Sequence, residues 1–262
     1  MNVEERIAYY LQKREAAASL PEEAEALQRL VCLAREAEDT ALLTEMLTEY
    51  GGVIKYLGRH EEAESAFLEV RSLLEAAGET ESPAWANCLV NLANLCRMTG
   101  RPEEAERLYR EAIPLGLRVC DGESRASMRN NLALLYQEQG RYDDALTLHR
   151  ENLEDTAGRP AYQTGSTYNN IAALYIKMKR YDEAAEAARQ ALAYYEDPEA
   201  GDALRVTAMN TLAAAYYGSG RVSEALGVFR QIEPLALAVY GEDSPVCRSI
   251  RRSIQRLEEA VQ

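Results

Sequence analysis

A six-residue signature that recurs along the chain constrains the fold more than any other feature. Each copy consists of a glycine or lysine, an arginine, a variable residue, two mostly acidic residues and an alanine. Five clear copies begin at Gly58, Gly100, Gly140, Lys179 and Gly220, and a weaker copy occupies residues 19–24. The arginines of the clear copies are 42, 40, 39 and 41 residues apart. Such a regular period indicates stacked structural repeats of one kind.

The signature describes a turn between two helices. Glycine commonly ends a helix because it adopts a left-handed backbone without steric penalty, so we expect the turn at Lys179 to differ or to be strained. The acidic pair falls in the first turn of the next helix, where the helix dipole favours negative charge. The alanine allows close helix approach, and a ring four residues later, such as Tyr109 or Phe229, fills the space between helices. His149 occupies this slot and is expected to be a core or semi-buried ring.

Apolar residues with helical spacing precede each turn, as in Leu132, Ala133, Leu135 and Tyr136. Together with the turns they predict helices at 3–18, 21–38, 40–57, 60–77, 83–99, 102–119, 124–139, 142–157, 162–178, 181–197, 202–219, 222–240 and 245–260. Pro114 and Pro234 fall inside second helices, where we expect bends and not breaks.

The fold predicted from these helices is all-α: an α-solenoid of about six antiparallel helix pairs plus a C-terminal capping helix. It forms one domain over residues 1–262, with a degenerate repeat at 1–38, repeats near 40–77, 83–119, 124–157, 162–197 and 202–240, and the cap at 245–260. Because the repeats use almost all of the chain, no room is left for a catalytic domain. No catalytic motif stands outside the repeat pattern, so we do not expect an enzyme.

Charge and composition narrow the possible partners. The net charge of −14 disfavours nucleic acid and anionic membranes, both of which require a basic face. The first residues show no signal peptide, and no stretch is apolar enough to span a bilayer. Five scattered cysteines are interpreted as small buried thiols in a reducing cytoplasm. The two histidines, His60 and His149, are too far apart in sequence for a zinc motif, so no metal or other cofactor is expected.

The pattern Leu-Ala-x-x-Tyr-x-x-x-Gly-Arg-Tyr-x-x-Ala resembles the tetratricopeptide repeat over roughly residues 1–240. The usual period of that family is about 34 residues. The longer period here, the Asn-Asn-Leu-Ala string at 130–133 and the connector at 241–245 are most similar to the kinesin-light-chain type of repeat. This resemblance implies a right-handed superhelix in which the first helix of each pair lines a concave groove.

Helical angles place a set of mostly polar residues on the face of the first helices that lies opposite the core. The candidate peptide-binding groove residues are Asn87, Asn91, Asn94, Arg97, Ser127, Asn130, Asn131, Gln137, Ser166, Asn169, Asn170, Lys177 and Asn210. The groove is expected to be amide-rich and nearly neutral. A carboxylate clamp, as in chaperone-binding members of the family, would require several basic residues beside the asparagines, and only Arg97 and Lys177 fit, in separate repeats.

Asparagine is a mediocre helix former, so its recurrence in mid-helix needs a reason. Either these amides bridge adjacent repeats and cap local backbone groups, or they form a ladder that pairs with the backbone of an extended peptide. The second interpretation predicts an adaptor or scaffold that binds a partner protein or peptide in the concave groove. Two alternatives stay open: a structural or self-associating scaffold that uses the solenoid ends or convex face, and a peptide-responsive regulator of a partner protein. The oligomeric state is left open.

Overall fold

The computed structural model describes residues 2–156, 158–196 and 201–261, and within these ranges the chain is all-α, without a β-strand. The helices are α1 (Val3–Glu15), α2 (Leu20–Glu36), α3 (Thr40–Ile54), α4 (His60–Ala76), α5 (Pro83–Met98), α6 (Pro102–Val119), α7 (Gly122–Glu138), α8 (Tyr142–Glu154), α9 (Ala161–Lys177), α10 (Tyr181–Tyr194), α11 (Asp202–Gly218), α12 (Val222–Tyr240) and α13 (Pro245–Val261). The predicted ends at 157 and 197, and residues 1 and 262, lie outside the described residues.

Most helix bounds agree with the predicted ones to within a few residues. The largest differences at described ends are in α1, which stops at Glu15 and not at residue 18, and in α3, which stops at Ile54 and not at residue 57. The α-helix α3 ends at Ile54, and a 3₁₀ turn continues it over Lys55–Leu57 before the left-handed Gly58. Both α6 and α12 run through their internal prolines, so the prediction that Pro114 and Pro234 do not break these helices is confirmed.

The chain forms two compact units, Met1–Asn131 and Leu132–Gln262, whose boundary falls inside α7. In the first unit successive helices pack on one another from α1 through α6. In the second unit the same holds from α8 to α13, and α9 also contacts α11, the first helix of the following pair. Each unit therefore has the helix-on-helix stacking of an all-α solenoid, as predicted.

The signature alanines lie in the core. Their exposed fraction is zero in every clear copy: Ala63, Ala105, Ala145, Ala184 and Ala225. The residues four positions later are also buried: Phe67, Tyr109, His149, Ala188 and Phe229. The prediction that His149 is a core or semi-buried ring is therefore confirmed, with 6% of the residue exposed.

The arginine of each turn has a structural role that the sequence pattern alone does not explain. In the second unit its guanidinium lies over the ring of the tyrosine that precedes the turn. The distance from Arg141 Cζ to the Tyr136 ring centroid is 4.0 Å, and that from Arg180 Cζ to the Tyr175 ring centroid is 4.6 Å. Arg141 also pairs with the carboxylate of Asp144 at 2.7 Å. Because the acidic residue is in the first turn of the next helix, this arginine joins the end of one helix to the start of the other.

Turn arginines also connect successive repeats. Arg101 Nη1 lies 2.8 Å from Oε1 of Glu64, which belongs to the preceding repeat of the first unit. In the second unit Arg221 Nη2 lies 2.9 Å from Oδ1 of Asp182 in the same way. Each pair is partly exposed and contributes about 1 kcal/mol or less. The two pairs thus link neighbouring helix pairs at their turns.

The turn at Lys179 has the same backbone conformation as the glycine turns. Its φ is 59°, compared with 75° at Gly140 and 80° at Gly220. A side chain in this left-handed region carries a steric penalty that glycine avoids. The expected strain at Lys179 is therefore present, whereas the path of the turn is unchanged.

Candidate functional site

The predicted groove residues are divided between the two units, and none of them is fully buried. In the first unit α5 and the start of α7 carry Asn87, Asn91, Asn94, Arg97, Ser127, Asn130 and Asn131. In the second unit the end of α7 together with α9 and α11 carries Gln137, Ser166, Asn169, Asn170, Lys177 and Asn210. Asn87, Ser127, Lys177 and Asn210 are exposed, and the others are half-buried.

In the first unit Asn87 lies between two open hollows. One, of about 670 Å³, is bounded by α3, the C-terminal half of α4 and the start of α5. The other, of about 580 Å³, is bounded by the start of α5, the α6–α7 connection and the start of α7, and Ser127 also lines it. The two predicted side chains Asn87 and Ser127 thus face one common hollow.

The larger hollow contains residues that the sequence prediction missed. Thr40, Thr44 and Thr48 of α3 line it together with Glu45 and Glu49. Their four-residue spacing puts the threonines on one helix face, and this pattern could have indicated them from the sequence. No lysine or arginine is among the described residues that line this hollow. This hollow is therefore acidic, and the expectation of a nearly neutral face on α5, α7, α9 and α11 stays a prediction.

Three of the predicted asparagines share one position, ten residues before the arginine of their turn. These are Asn91, Asn131 and Asn170, and all three are half-buried. Among the residues that the structure describes, none offers their side-chain amides a hydrogen bond. Each amide therefore keeps both its donor and its acceptor for another molecule or for water. In α3 the same position holds Glu49, which pairs with Arg14 at 2.5 Å, so the amide series does not extend to that helix.

Two other predicted residues are already used by the fold. The Tyr109 hydroxyl donates a hydrogen bond to Asn94 Oδ1 at 2.6 Å, which joins α6 to α5. Ser166 Oγ donates to the carbonyl of Tyr162 and accepts from the hydroxyl of Tyr195, each at about 3 Å. At these positions the polar side chains connect helices, as the structural interpretation of the polar stripe requires.

Asn169 differs from both groups. It is half-buried, but its Oδ1 is shielded from solvent and accepts no hydrogen bond from any described residue. A shielded acceptor without a donor costs about 1–3 kcal/mol. Since a bound backbone N–H could provide that donor, Asn169 is a further candidate contact next to Asn170.

A buried lysine was missed by the sequence prediction. Lys55 is 7% exposed, and its Nζ lies 5.1 Å from the ring centroid of the exposed Tyr56. Burial, and after it the nearby charge of Arg97, lower the pKa of Lys55. Lys55 and Arg97 each stand four residues before a turn arginine, so the sequence could have indicated that they occupy equivalent positions. The first unit therefore brings two cations of neighbouring first helices close together, which the sequence prediction did not foresee.

Burial shifts the pKa of several titratable side chains in the core. Burial lowers the pKa of His149 to about 4 and raises the pKa of Cys88 and of Cys96 to about 11. At neutral pH the imidazole is therefore uncharged and both thiols are protonated, which makes these thiols poor nucleophiles. Among the described residues no three His, Cys, Asp or Glu side chains are grouped to hold a metal ion, and no helix is long and apolar enough to cross a membrane.

The paired helices, the buried alanine at each crossing and the polar faces of the first helices define an all-α solenoid built from helix-turn-helix repeats. The chain belongs to the tetratricopeptide repeat family, whose sequence profile matches residues 42–116, 124–197 and 163–238. These ranges cover more than half of the chain. No curated protein sequence matches it.

Solved structures share the fold. BtubC (BKLC) from P. vanneervenii superposes with a TM-score of 0.73 and 21% identity, covering 86% of this chain and 94% of that one. A putative kinesin light chain of Podosopora anserina with nearly identical TPR-like repeats gives a TM-score of 0.63 and 20% identity, covering 75% and 96%. A Rap protein complexed with competence and sporulation factor superposes with a TM-score of 0.61 and 13% identity, covering 98% of this chain and 74% of that one. The fold of the chain is therefore similar to that of BtubC and of the putative kinesin light chain. This repeat fold commonly serves as a scaffold for protein–protein interaction.

Proposed function

We propose that this protein is an adaptor that binds an extended segment of a partner protein along the polar faces of its first helices. The observation that carries the proposal is the set of equivalent amides at Asn91, Asn131 and Asn170, which have no hydrogen-bond partner among the described residues. Asparagine weakens a helix interior relative to alanine, so three such residues are disfavoured by the helices that contain them. A bound segment would supply the compensating hydrogen bonds.

The proposed mechanism uses the two-sided chemistry of the amide. An extended backbone presents N–H and C=O groups in alternation, and one asparagine side chain can accept from the first and donate to the second. Such contacts hold the backbone without selecting side chains. Selectivity would come from the hollows beside Asn87, where glutamates and threonine hydroxyls favour basic or hydrogen-bond-donating side chains.

The same proposal covers the setting of the protein. We propose that binding requires no cofactor and no catalytic step. The partner is a protein or peptide and not nucleic acid or an anionic membrane, because the acidic excess repels both of these. A reducing, cytoplasmic location is proposed from the cysteines, of which Cys88, Cys96 and Cys247 are buried as small core residues.

The test begins with short linear peptides selected from a display library against the whole chain. Their dissociation constants are then measured by fluorescence anisotropy for Asn91→Ala, Asn131→Ala and Asn170→Ala. Loss of one amide contact should weaken binding by about 1 kcal/mol, or about fivefold. Gln28→Ala and Gln231→Ala are matched controls, because these exposed amides lie on the second helices α2 and α12.

Circular dichroism establishes that each variant keeps its fold before binding is compared. Equal affinities in all variants with an intact fold would contradict the proposal, as would equal losses in the control variants. Sedimentation velocity at several concentrations examines self-association. A concentration-dependent oligomer together with an absence of selected peptides would favour the self-associating scaffold.

A second candidate function is a regulator that responds to a free peptide. The supporting observation is the match over 98% of this chain to the Rap protein solved with competence and sporulation factor. In that case a selected peptide should change the binding of a second protein by the chain. In the adaptor, by contrast, the peptide and its parent protein simply compete for the same face.

A further inference from the structure

We propose that the C-terminal end of the second unit holds a pocket for one large apolar side chain of an acidic partner segment. This inference rests on the proposed function only in that the chain binds a partner segment. It does not depend on the asparagine contacts. The pocket lies between α11, α12 and α13.

The pocket has the size of a side chain and a largely apolar wall. Its volume is about 220 Å³, several times the roughly 30 Å³ that one water molecule occupies in the liquid. It therefore admits a single large side chain and not a folded element. The lining residues are Ala214, Tyr217, Phe229, Ser253, Arg256, Leu257 and Ala260.

Tyr217 is the exposed wall of this pocket. Phe229 and Leu257 are 8% and 4% exposed and belong to the core, whereas 60% of Tyr217 is exposed. A tyrosine ring beside an apolar pocket presents contact area at low entropic cost, which is why aromatic residues are frequent at the centres of interfaces. Tyr217 also stands four residues before its turn arginine, the position that Arg97 and Gln137 occupy in the proposed groove.

The charges at the rim indicate the sign of the partner. Arg251 of α13 pairs with Glu233 of α12 at 2.9 Å and with Glu242 of the α12–α13 connection at 3.3 Å. Arg248 donates to the carbonyl of Asp243 at 2.6 Å. Arg252 and Arg256 are exposed and have no such partner among the described residues. Arg256 lines the pocket, and Arg252 lies one helical turn before it.

Like charges at this four-residue spacing disfavour a helix slightly, so Arg252 and Arg256 carry a small penalty. Partner carboxylates would remove that penalty. Although the chain has a net charge of −14, Arg252 and Arg256 put positive charge at this pocket. The complementary occupant is thus a protein segment with one large apolar side chain and carboxylates on either side of it.

The experiment uses a fluorescein-labelled peptide in which glutamates flank a single phenylalanine, and a control peptide with serine in its place. Binding to the whole chain is measured by anisotropy. We expect the phenylalanine peptide to bind about tenfold or more tightly than the serine peptide, as is usual for an anchor side chain. The double variant Arg252→Glu/Arg256→Glu should lose a similar factor, and added salt should weaken the wild-type complex. Arg29→Glu, a charge reversal at an exposed residue of the first unit, should have little effect.

The pocket and the asparagine contacts can fail independently. If Asn170→Ala leaves binding of the phenylalanine probe unchanged while the arginine variant loses it, the pocket is established whatever becomes of the amide contacts. Equal binding of the two peptides, or of wild type and Arg252→Glu/Arg256→Glu, would overturn the pocket. A third result would also overturn it: the wild-type chain sediments as a dimer, the arginine variant as a monomer, and the probe does not bind. The occupant of the pocket would then be a second copy of the chain.

Discussion

The hydroxyl of Tyr109 donates a hydrogen bond of 2.6 Å to Oδ1 of Asn94, across the two helices of a single repeat. Tyr109 fills the ring slot of that repeat and is completely buried. Asn94 is one helical turn from Asn91, whose amide is bonded to no described residue. Two asparagines on one helix therefore have different roles, and their substitution should separate stability from binding.

For Asn94→Ala we expect the free energy of unfolding to fall by about 1–3 kcal/mol, because a buried hydroxyl loses an acceptor. Asn91→Ala should change it by about 0.5 kcal/mol or less, since no contact within the fold is removed and alanine is the better helix former. Urea denaturation followed by circular dichroism measures both values. A larger loss at Asn91 than at Asn94 would contradict the assignment of the two amides.

Gly51 and Gly52 are adjacent in α3 but have different surroundings. A Cβ at Gly51 would lie 2.7 Å from Cε1 of the buried Phe67, whereas a Cβ at Gly52 would meet no atom within 4 Å. We expect Gly51→Ala to destabilise the protein by about 1–3 kcal/mol through overpacking. Gly52→Ala should stabilise it by about 0.5–1 kcal/mol, because alanine restricts the unfolded chain. Thermal unfolding of the two variants compares them directly, and opposite signs are the expected result.

Lys179→Gly should stabilise the fourth turn. The left-handed backbone at Lys179 disfavours a side chain by about 1–2 kcal/mol, and part of the gain is lost to the greater freedom of glycine in the unfolded state. The expected net gain is about 0.5–1 kcal/mol, measured by urea denaturation. Gly140→Lys, at the equivalent turn with φ 75°, is the reverse substitution and should destabilise the protein. A loss of stability in Lys179→Gly would show that the lysine side chain outweighs the backbone strain.

The buried His149 should make stability depend on pH. Burial lowers its pKa to about 4 in the folded protein, whereas the unfolded chain titrates near 6.5. Between these values the unfolded state binds more protons, so stability is complete above pH 6.5 and falls as the pH decreases towards 4. The loss reaches at most about 3 kcal/mol. His149→Leu removes this dependence. The unfolding free energy of the wild type minus that of the variant should therefore decrease as the pH is lowered from 6.5 to 4. A difference that stays constant over this range would contradict the assignment.

Local signals in the sequence were sufficient to predict the helix pairs. The left-handed residue, the acidic first turn and the alanine of each repeat act within a few residues of one another, so their period predicted an all-α solenoid and nearly all helix bounds. The roles of particular side chains are a different matter. Helical angle placed Asn91 and Asn94 on one face, but the hydrogen bond to Tyr109 comes from another helix.

The candidate site shows the same limit. The position of Lys55 in the repeat was readable from its equivalence to Arg97, yet its burial and the nearness of the two charges depend on how neighbouring first helices pack. The pocket beside Tyr217 likewise exists only where α13 closes against α11 and α12.

The sequence by itself determined that this protein is a tetratricopeptide solenoid, because its helices begin, end and pair through short-range backbone preferences repeated at a constant period. Only the tertiary structure decided which polar side chains are used by the fold and which stay available. Asn94, Ser166 and the turn arginines are bonded within it, whereas the side chains of Asn91, Asn170 and Arg256 are bonded to no described residue. The reason is physical: a polar group is satisfied by whatever the packing of distant segments brings within about 3 Å of it, and no local pattern encodes that distance.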